Sequence, residues 1–342
     1  MCGPAGRHHG DNMKTSRFSV HERGLMAVLL VFCLVALSAC ASAPRSPALV
    51  YLPTPPSGVA PVHTPAFLVD DGEQPFNRIG TPAAREQGSG DPLVLVDPAK
   101  ASLYFETQQF STAKGSYTNL IYRLHFSEVP FLWTSPHLTA GNNPGLLVIY
   151  TLDQTSTLIL VTSVHTCGCF LAFTPTSAMP PSFLPDNWSL EPQEVYGQTL
   201  PGLLPLPTEK GATRLLFSLE SETHRIRDAA AVSAASLAQF SQERNIAMRP
   251  MQDLYALPYG NTTVSFFEDQ GPRRGYVKNN TKILERLLMS WWAFDLYVGE
   301  DKAYSLHDQS DTIFYTSLKF WAREDSDLKN FPQFLKYWGW QL

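Results

Sequence analysis

The chain has 342 residues, 44% of them hydrophobic and 12% aromatic, with 26 basic and 31 acidic side chains and a net charge of −5. That composition builds a real apolar core and excludes a disordered chain. With no basic block it also argues against nucleic acid as a partner, since phosphate neutralisation needs clustered Lys and Arg.

In chain order, the first feature is a short positive stretch with Lys14, Arg17 and Arg23 against Glu22. An apolar run, 25–37, follows. It is too short to span a bilayer as a helix, which takes about 20 residues. Small residues Ser38 and Ala39 then lead to Cys40. These three parts in this order form an export signal. Leu37-Ser38-Ala39-Cys40 resembles the lipobox of bacterial lipoproteins, and Met13 makes a more ordinary start than Met1. The resemblance spans residues 13–41. It implies cleavage before Cys40, acylation of Cys40, and a protein anchored by lipid in the cell envelope and facing the periplasm. Ala41 in place of Asp implies the outer membrane. The membrane is then a partner through lipidated Cys40.

Residues 40–66 hold Pro44, Pro47, Pro53, Pro55, Pro56, Pro61 and Pro65. Proline fixes φ and removes a donor, so the stretch is expected to be an extended tether that joins neither sheet nor helix. A single globular domain is expected over 67–342, β-rich over 67–222 and α-rich over 223–342.

Strand-like runs occupy 93–96, 102–105, 117–126, 146–152, 157–164, 170–173 and 214–219, rich in Val, Ile, Leu, Tyr and Phe. The runs 146–152 and 157–164 are apolar at nearly every position, which predicts central strands covered on both faces. Asp153-Gln154-Thr155-Ser156 between them predicts a hairpin turn. Beyond, the Ala-rich stretch 227–242 predicts a helix, and 262–267 another strand. A longer helix is predicted over 281–298 from the spacing of Ile283, Leu284, Leu287, Leu288, Trp291 and Trp292, ending at Gly299. Asp325 and Ser326 can cap a last short helix running toward Tyr337. Together these predict an α+β fold, a mostly antiparallel sheet with helices concentrated in the C-terminal half.

Once the leader is removed and Cys40 is acylated, Cys167 and Cys169 are the remaining cysteines. They sit in His165-Thr166-Cys167-Gly168-Cys169, directly after an apolar strand. If the strand continues, residues 165, 167 and 169 share a face, because side chains alternate. Three readings stay open. One is a metal site for zinc or copper, with His125 or His137 supplying a further ligand. Another is a Cys167–Cys169 disulfide, strained and easily reduced. The third is a pair of buried thiols beside a core histidine.

Other polar candidates are His224 with Asp228 at the start of the Ala-rich segment, and Arg78 as an anion ligand or surface ion pair. The C-terminal 52 residues hold Trp291, Trp292, Trp321, Trp338 and Trp340. Helical spacing sets the first two beside Leu287 and Leu288 as core, with a protein partner or a lipid surface as the alternative. Haem-attachment, thioredoxin, nucleophile-elbow, zincin, P-loop and dinucleotide motifs are absent. The functional expectation is an envelope lipoprotein with a His/Cys metal-binding module. The alternatives are a hydrolase or thiol redox enzyme using the two cysteines and nearby histidines, or an assembly lipoprotein presenting an aromatic surface.

Overall fold

The computed structural model describes residues 46–55, 63–88, 90–133, 136–207, 213–240 and 242–342. The export signal, the lipobox and Cys40 lie outside the described residues, as do parts of the Pro-rich stretch.

The frame is a ten-stranded mixed sheet. In chain order its strands are β1 (Leu49–Thr54), β2 (Ala66–Val69), β3 (Ser102–Thr112), β4 (Gly115–His125), β5 (Gly145–Leu152), β6 (Leu158–His165), β7 (Ala172–Pro175), β8 (Thr213–Leu219), β9 (Ile226–Ser233) and β10 (Glu243–Pro250). They lie side by side as β7-β6-β5-β4-β3-β10-β1-β2-β8-β9. Pairs are antiparallel except β1 with β10, β10 with β3, and β2 with β8.

The unbroken apolar runs of β5 and β6 follow from burial on both faces. On β5, Leu147 and Ile149 join one core cluster with the C-terminal Phe331, Phe334 and Trp340. Leu146, Val148 and Tyr150 join the other, with Tyr51, Phe67 and Phe217. Tyr150 on β5 and Phe217 on β8 have ring centroids 6.2 Å apart. Laid flat, the intervening strands would separate them by about 29 Å at the usual strand spacing. The sheet therefore curls back on itself and encloses the second cluster. The expected 153–156 turn forms as read, with Asp153 Oδ1 accepting from the backbone N–H of Thr155 and Thr157 at 2.8 and 2.9 Å.

The expected α+β class is overturned. The described chain is mostly β, and its α-helices are few: α1 (Ala234–Leu237), α2 (Ile283–Ala293) and α3 (Phe331–Tyr337). The Ala-rich segment is where propensity misled. It is strand β9, paired with β8 from Leu219↔Ile226 to Thr213↔Ser233, and only its end turns into α1. Ile226, Ala229 and Ala231 pack on the core, and tertiary pairing outweighs the few tenths of a kcal/mol per residue that helix propensity supplies. Helix α2 ends earlier than expected, at Phe294 in the left-handed region. The last helix starts after Asn330, not at Asp325 and Ser326.

The expected tether is also corrected. Residues 49–54 form an interior strand, so the fold begins well before residue 67. Pro53 is tolerated for a specific reason. Val50 N–H points to β10, bonding Gln242 O at 2.9 Å. Alternation then turns position 53 toward β2, and pairing with β2 stops at Tyr51. The missing proline donor falls where no ladder bond is required.

Candidate functional site

The segments that follow β4 and β6, together with α2, enclose a cleft of about 460 Å³ lined by His137, Cys167, Cys169, Glu285 and Tyr315 among others. The cysteines reach it through a tight reversal. Gly168 N–H bonds His165 O at 2.8 Å, and His165 N–H bonds Cys169 O at 2.9 Å. Gly168 sits at φ +91°, and a Cβ there would collide with the Tyr315 carbonyl. Because the chain turns here, strand alternation stops at His165, and the shared face expected for residues 165, 167 and 169 does not form.

The two sulfurs stay together while the imidazole leaves them. Cys167 is buried and its sulfur accepts from Cys169 N–H at 3.4 Å. Cys169 is half-buried, and its Sγ lies 3.5 Å from Glu285 Oε1. His165 lies instead among Leu146, Ser163 and Ala172. Its Nε2 donates to His224 O at 3.3 Å, and burial pushes its pKa down to about 4.

His125 is committed elsewhere too. Arg123 Nε donates to its Nε2 at 2.8 Å, the ring sits edge-on to Phe266, and burial together with Arg123 holds its pKa well below the ordinary value. His137 does line the cleft, but its Nε2 is 2.6 Å from Glu222 Oε2. Among the described residues, no group of three or more His, Cys, Asp or Glu side chains is arranged to hold a metal ion. The zinc or copper cage expected from His165, Cys167, Cys169, His125 and His137 does not assemble, because Nε2 of His125 and of His165 is already engaged and the turn at Gly168 separates His165 from the sulfurs.

Two lysines and two acids that sequence reading passed over surround the thiols. Lys282 Nζ is 2.9 Å from Asp301 Oδ2, with both side chains buried. Asp301 Oδ1 also accepts from Gly145 N–H at 3.1 Å and from the Thr166 hydroxyl. Lys302 Nζ donates to Cys167 O at 3.0 Å and to Glu300 O at 3.1 Å, and stands 4.5 Å above the Tyr315 ring. Glu300 pairs with Arg273 at 2.7 Å, yet burial raises its pKa to about 7. In the sequence, Glu300-Asp301-Lys302 reads as an ordinary solvated charge run. Nothing local marks it as buried, because its partners Lys282, Arg273 and Thr166 come from other parts of the chain.

This setting splits the two thiols. Burial alone would raise Cys167, but the hydrogen bond from the Cys169 thiol and the charge of Lys282 outweigh it and bring it below the ordinary thiol value. Cys169, donating to Cys167 and desolvated beside Glu285, is pushed well above it.

The remaining candidates are structural. Arg78 braces its own loop, donating to the carbonyls of Gly72 and Glu73. His224 stacks on Phe126 at 3.7 Å, its Nε2 is 2.9 Å from Phe76 O, and burial lowers its pKa to about 3.

No family model matches the chain. No curated protein matches it. Among solved structures, NLPPya in complex with mannosamine aligns with 67% of this chain and 92% of its own length, at 13% identity and a TM-score of 0.25. A likeness that slight carries no argument about fold or function.

Proposed function

We propose that this is a cell-envelope lipoprotein, held by acylated Cys40, whose folded unit carries out thiol–disulfide exchange through Cys167 and Cys169. The observation that carries the reading is a pair of adjacent thiols in the wall of an apolar cleft, with the Glu285 carboxylate in reach of the half-buried sulfur. The oxidising compartment implied by the lipobox suits that chemistry.

The steps balance as follows. A substrate disulfide enters the cleft and meets Cys169, the more accessible sulfur. Cys169 passes its proton to Glu285 and attacks, forming a mixed disulfide. The first substrate thiolate leaves with the proton from Glu285. The Cys167 thiolate then attacks the Cys169 sulfur, releasing the second substrate thiolate and closing the Cys167–Cys169 disulfide. Two electrons pass from the pair to the substrate disulfide. A substrate dithiol returns them by the reverse sequence. Ring strain in a Cys-X-Cys disulfide makes that return favourable.

Glutathione disulfide tests the reading. Reduced wild-type chain is expected to lose two hydrogens by mass, and the Cys167→Ser variant to accumulate glutathione on Cys169. Thiols that stay reduced would overturn the exchange. Copper or zinc bound at about one ion per chain with both thiols masked would favour metal carriage instead. Anchoring is tested separately, since Cys40→Ala should abolish fatty-acid labelling and release the protein from membranes.

A further inference from the structure

Helix α2 is amphipathic in the opposite sense from its sequence expectation. Glu285 and Ala293 are buried, while Ile283, Leu287, Leu288, Trp291 and Trp292 face solvent, with Trp291 73% exposed. The apolar surface continues past the helix. Phe294 packs against Phe320 at 5.1 Å and Phe320 against Trp321 at 5.0 Å, and all three are exposed. Across the cleft stands exposed Leu138. A contiguous exposed apolar surface of this kind marks an interaction site.

What covers it follows from where the chain enters the fold. Ser46 N–H donates to Asp71 Oδ1 at 2.6 Å. Asn77 Nδ2 donates to Asp71 O at 3.1 Å, and Asn77 Oδ1 accepts from Glu222 N–H at 2.7 Å. Glu222 in turn holds His137 on the cleft rim at 2.6 Å. Ser46 and the cleft are thus joined by a short relay at one end of the sheet. Cys40 precedes Ser46 by six residues, a span of at most about 20 Å. An acyl chain on Cys40 therefore keeps this end of the fold near the bilayer whatever path those residues take.

We infer that the exposed face of α2, with Phe294, Phe320 and Trp321, docks on the lipid surface in which Cys40 is anchored. The composition fits: Trp concentrates at membrane interfaces, and exposed Arg286 and Lys319 flank the aromatic surface, where they meet anionic headgroups. The cleft would then open toward the bilayer, which directs the exchange chemistry to membrane-associated disulfides. This inference rests on the lipid-anchor reading of Cys40.

The test uses the full chain purified from membranes and reconstituted in vesicles of phosphatidylethanolamine and phosphatidylglycerol whose acyl chains are brominated near the headgroup. Bromine quenches only nearby tryptophans. Emission is expected to be quenched, and a Trp291→Phe/Trp292→Phe/Trp321→Phe variant to lose most of that quenching. Trp188→Phe, remote from the surface, should leave the quenching intact. The changes on the docking face do not touch the core, and a far-ultraviolet spectrum checks the fold of every variant. Quenching that is absent, or unchanged in the triple variant, overturns docking. So does a protein dimer that shields the same tryptophans. Fatty-acid content of Cys40 is read on the same sample. Quenching without acylation sinks the anchor and leaves the docking surface standing. Acylation without quenching sinks the docking surface alone.

Discussion

Lys282 and Asp301 meet as an ion pair, Nζ to Oδ2 at 2.9 Å, with neither side chain reaching solvent. The pair ties the N-terminus of α2 to Gly145 and Thr166 at the sheet end, and Lys282 biases Cys167 toward its thiolate. Burial alone would raise the Asp301 pKa, but Lys282 and Thr166 outweigh it and hold the carboxyl below its usual value.

Removing one partner leaves an uncompensated buried charge. Asp301→Asn is therefore expected to cost about 3–5 kcal/mol, measured by urea unfolding. The sign with pH is set by the depressed carboxyl: the stabilisation is full above the unfolded aspartate pKa and is lost as pH falls through the lower folded value. A loss below about 1 kcal/mol would mean that solvent reaches the pair.

Acid should destabilise the fold earlier than carboxylates alone would. His165 and His224 have folded pKa values of about 4 and about 3, both lowered first by burial. The unfolded chain takes up protons near pH 6.5 where the folded one does not, so stability falls as pH drops from about 6.5 toward 4. Each histidine contributes a loss of order 3 kcal/mol. Urea midpoints across that range check it, and His224→Gln should flatten the profile. A midpoint independent of pH there would count against buried neutral imidazoles.

The thiol pair makes a spectroscopic prediction. Cys169→Ala removes the donor that favours the Cys167 thiolate, leaving burial to act against the charge of Lys282. Thiolate absorbance followed against pH should show Cys167 ionising at higher pH in the variant than the first ionisation of the wild type. An unmoved profile would mean the two sulfurs do not share a proton.

Gly168→Ala tests the turn. Its φ of +91° disfavours any side chain, and the added Cβ would meet the Tyr315 carbonyl. A loss of at least about 1–3 kcal/mol is expected from the backbone conformation alone, together with a changed alkylation rate at Cys169. Wild-type stability and reactivity in the variant would show that the turn relaxes freely.

Much of the sheet was legible in the sequence. The runs that became β5 and β6 declared themselves by nearly continuous apolar residues, those that became β4 and β8 by their Leu, Ile, Tyr and Phe content, and the turn at Asp153 by its chemistry. The Ala-rich β9 was not legible, because small side chains suit a strand packed against β8 as well as a helix, and only pairing chooses. Counting prolines hid β1, since what matters for Pro53 is which neighbour its missing N–H faces. The cysteine pair was found from the motif. Its partners Lys282, Glu285 and Asp301 were not, since each looks like a surface charge until the fold removes its water.

By itself the sequence determined a Pro-rich lead-in, an apolar β core and two cysteines placed at a strand end, because these depend on residue type and local spacing. Tertiary structure alone decided that His165 turns away from the sulfurs, that a lysine and an aspartate are buried beside them, and that the aromatic stripe of α2 faces outward. Each of those outcomes depends on contacts between residues distant in the chain. A hydrophobic period reveals that a helix has an apolar face, but not which surface that face will meet.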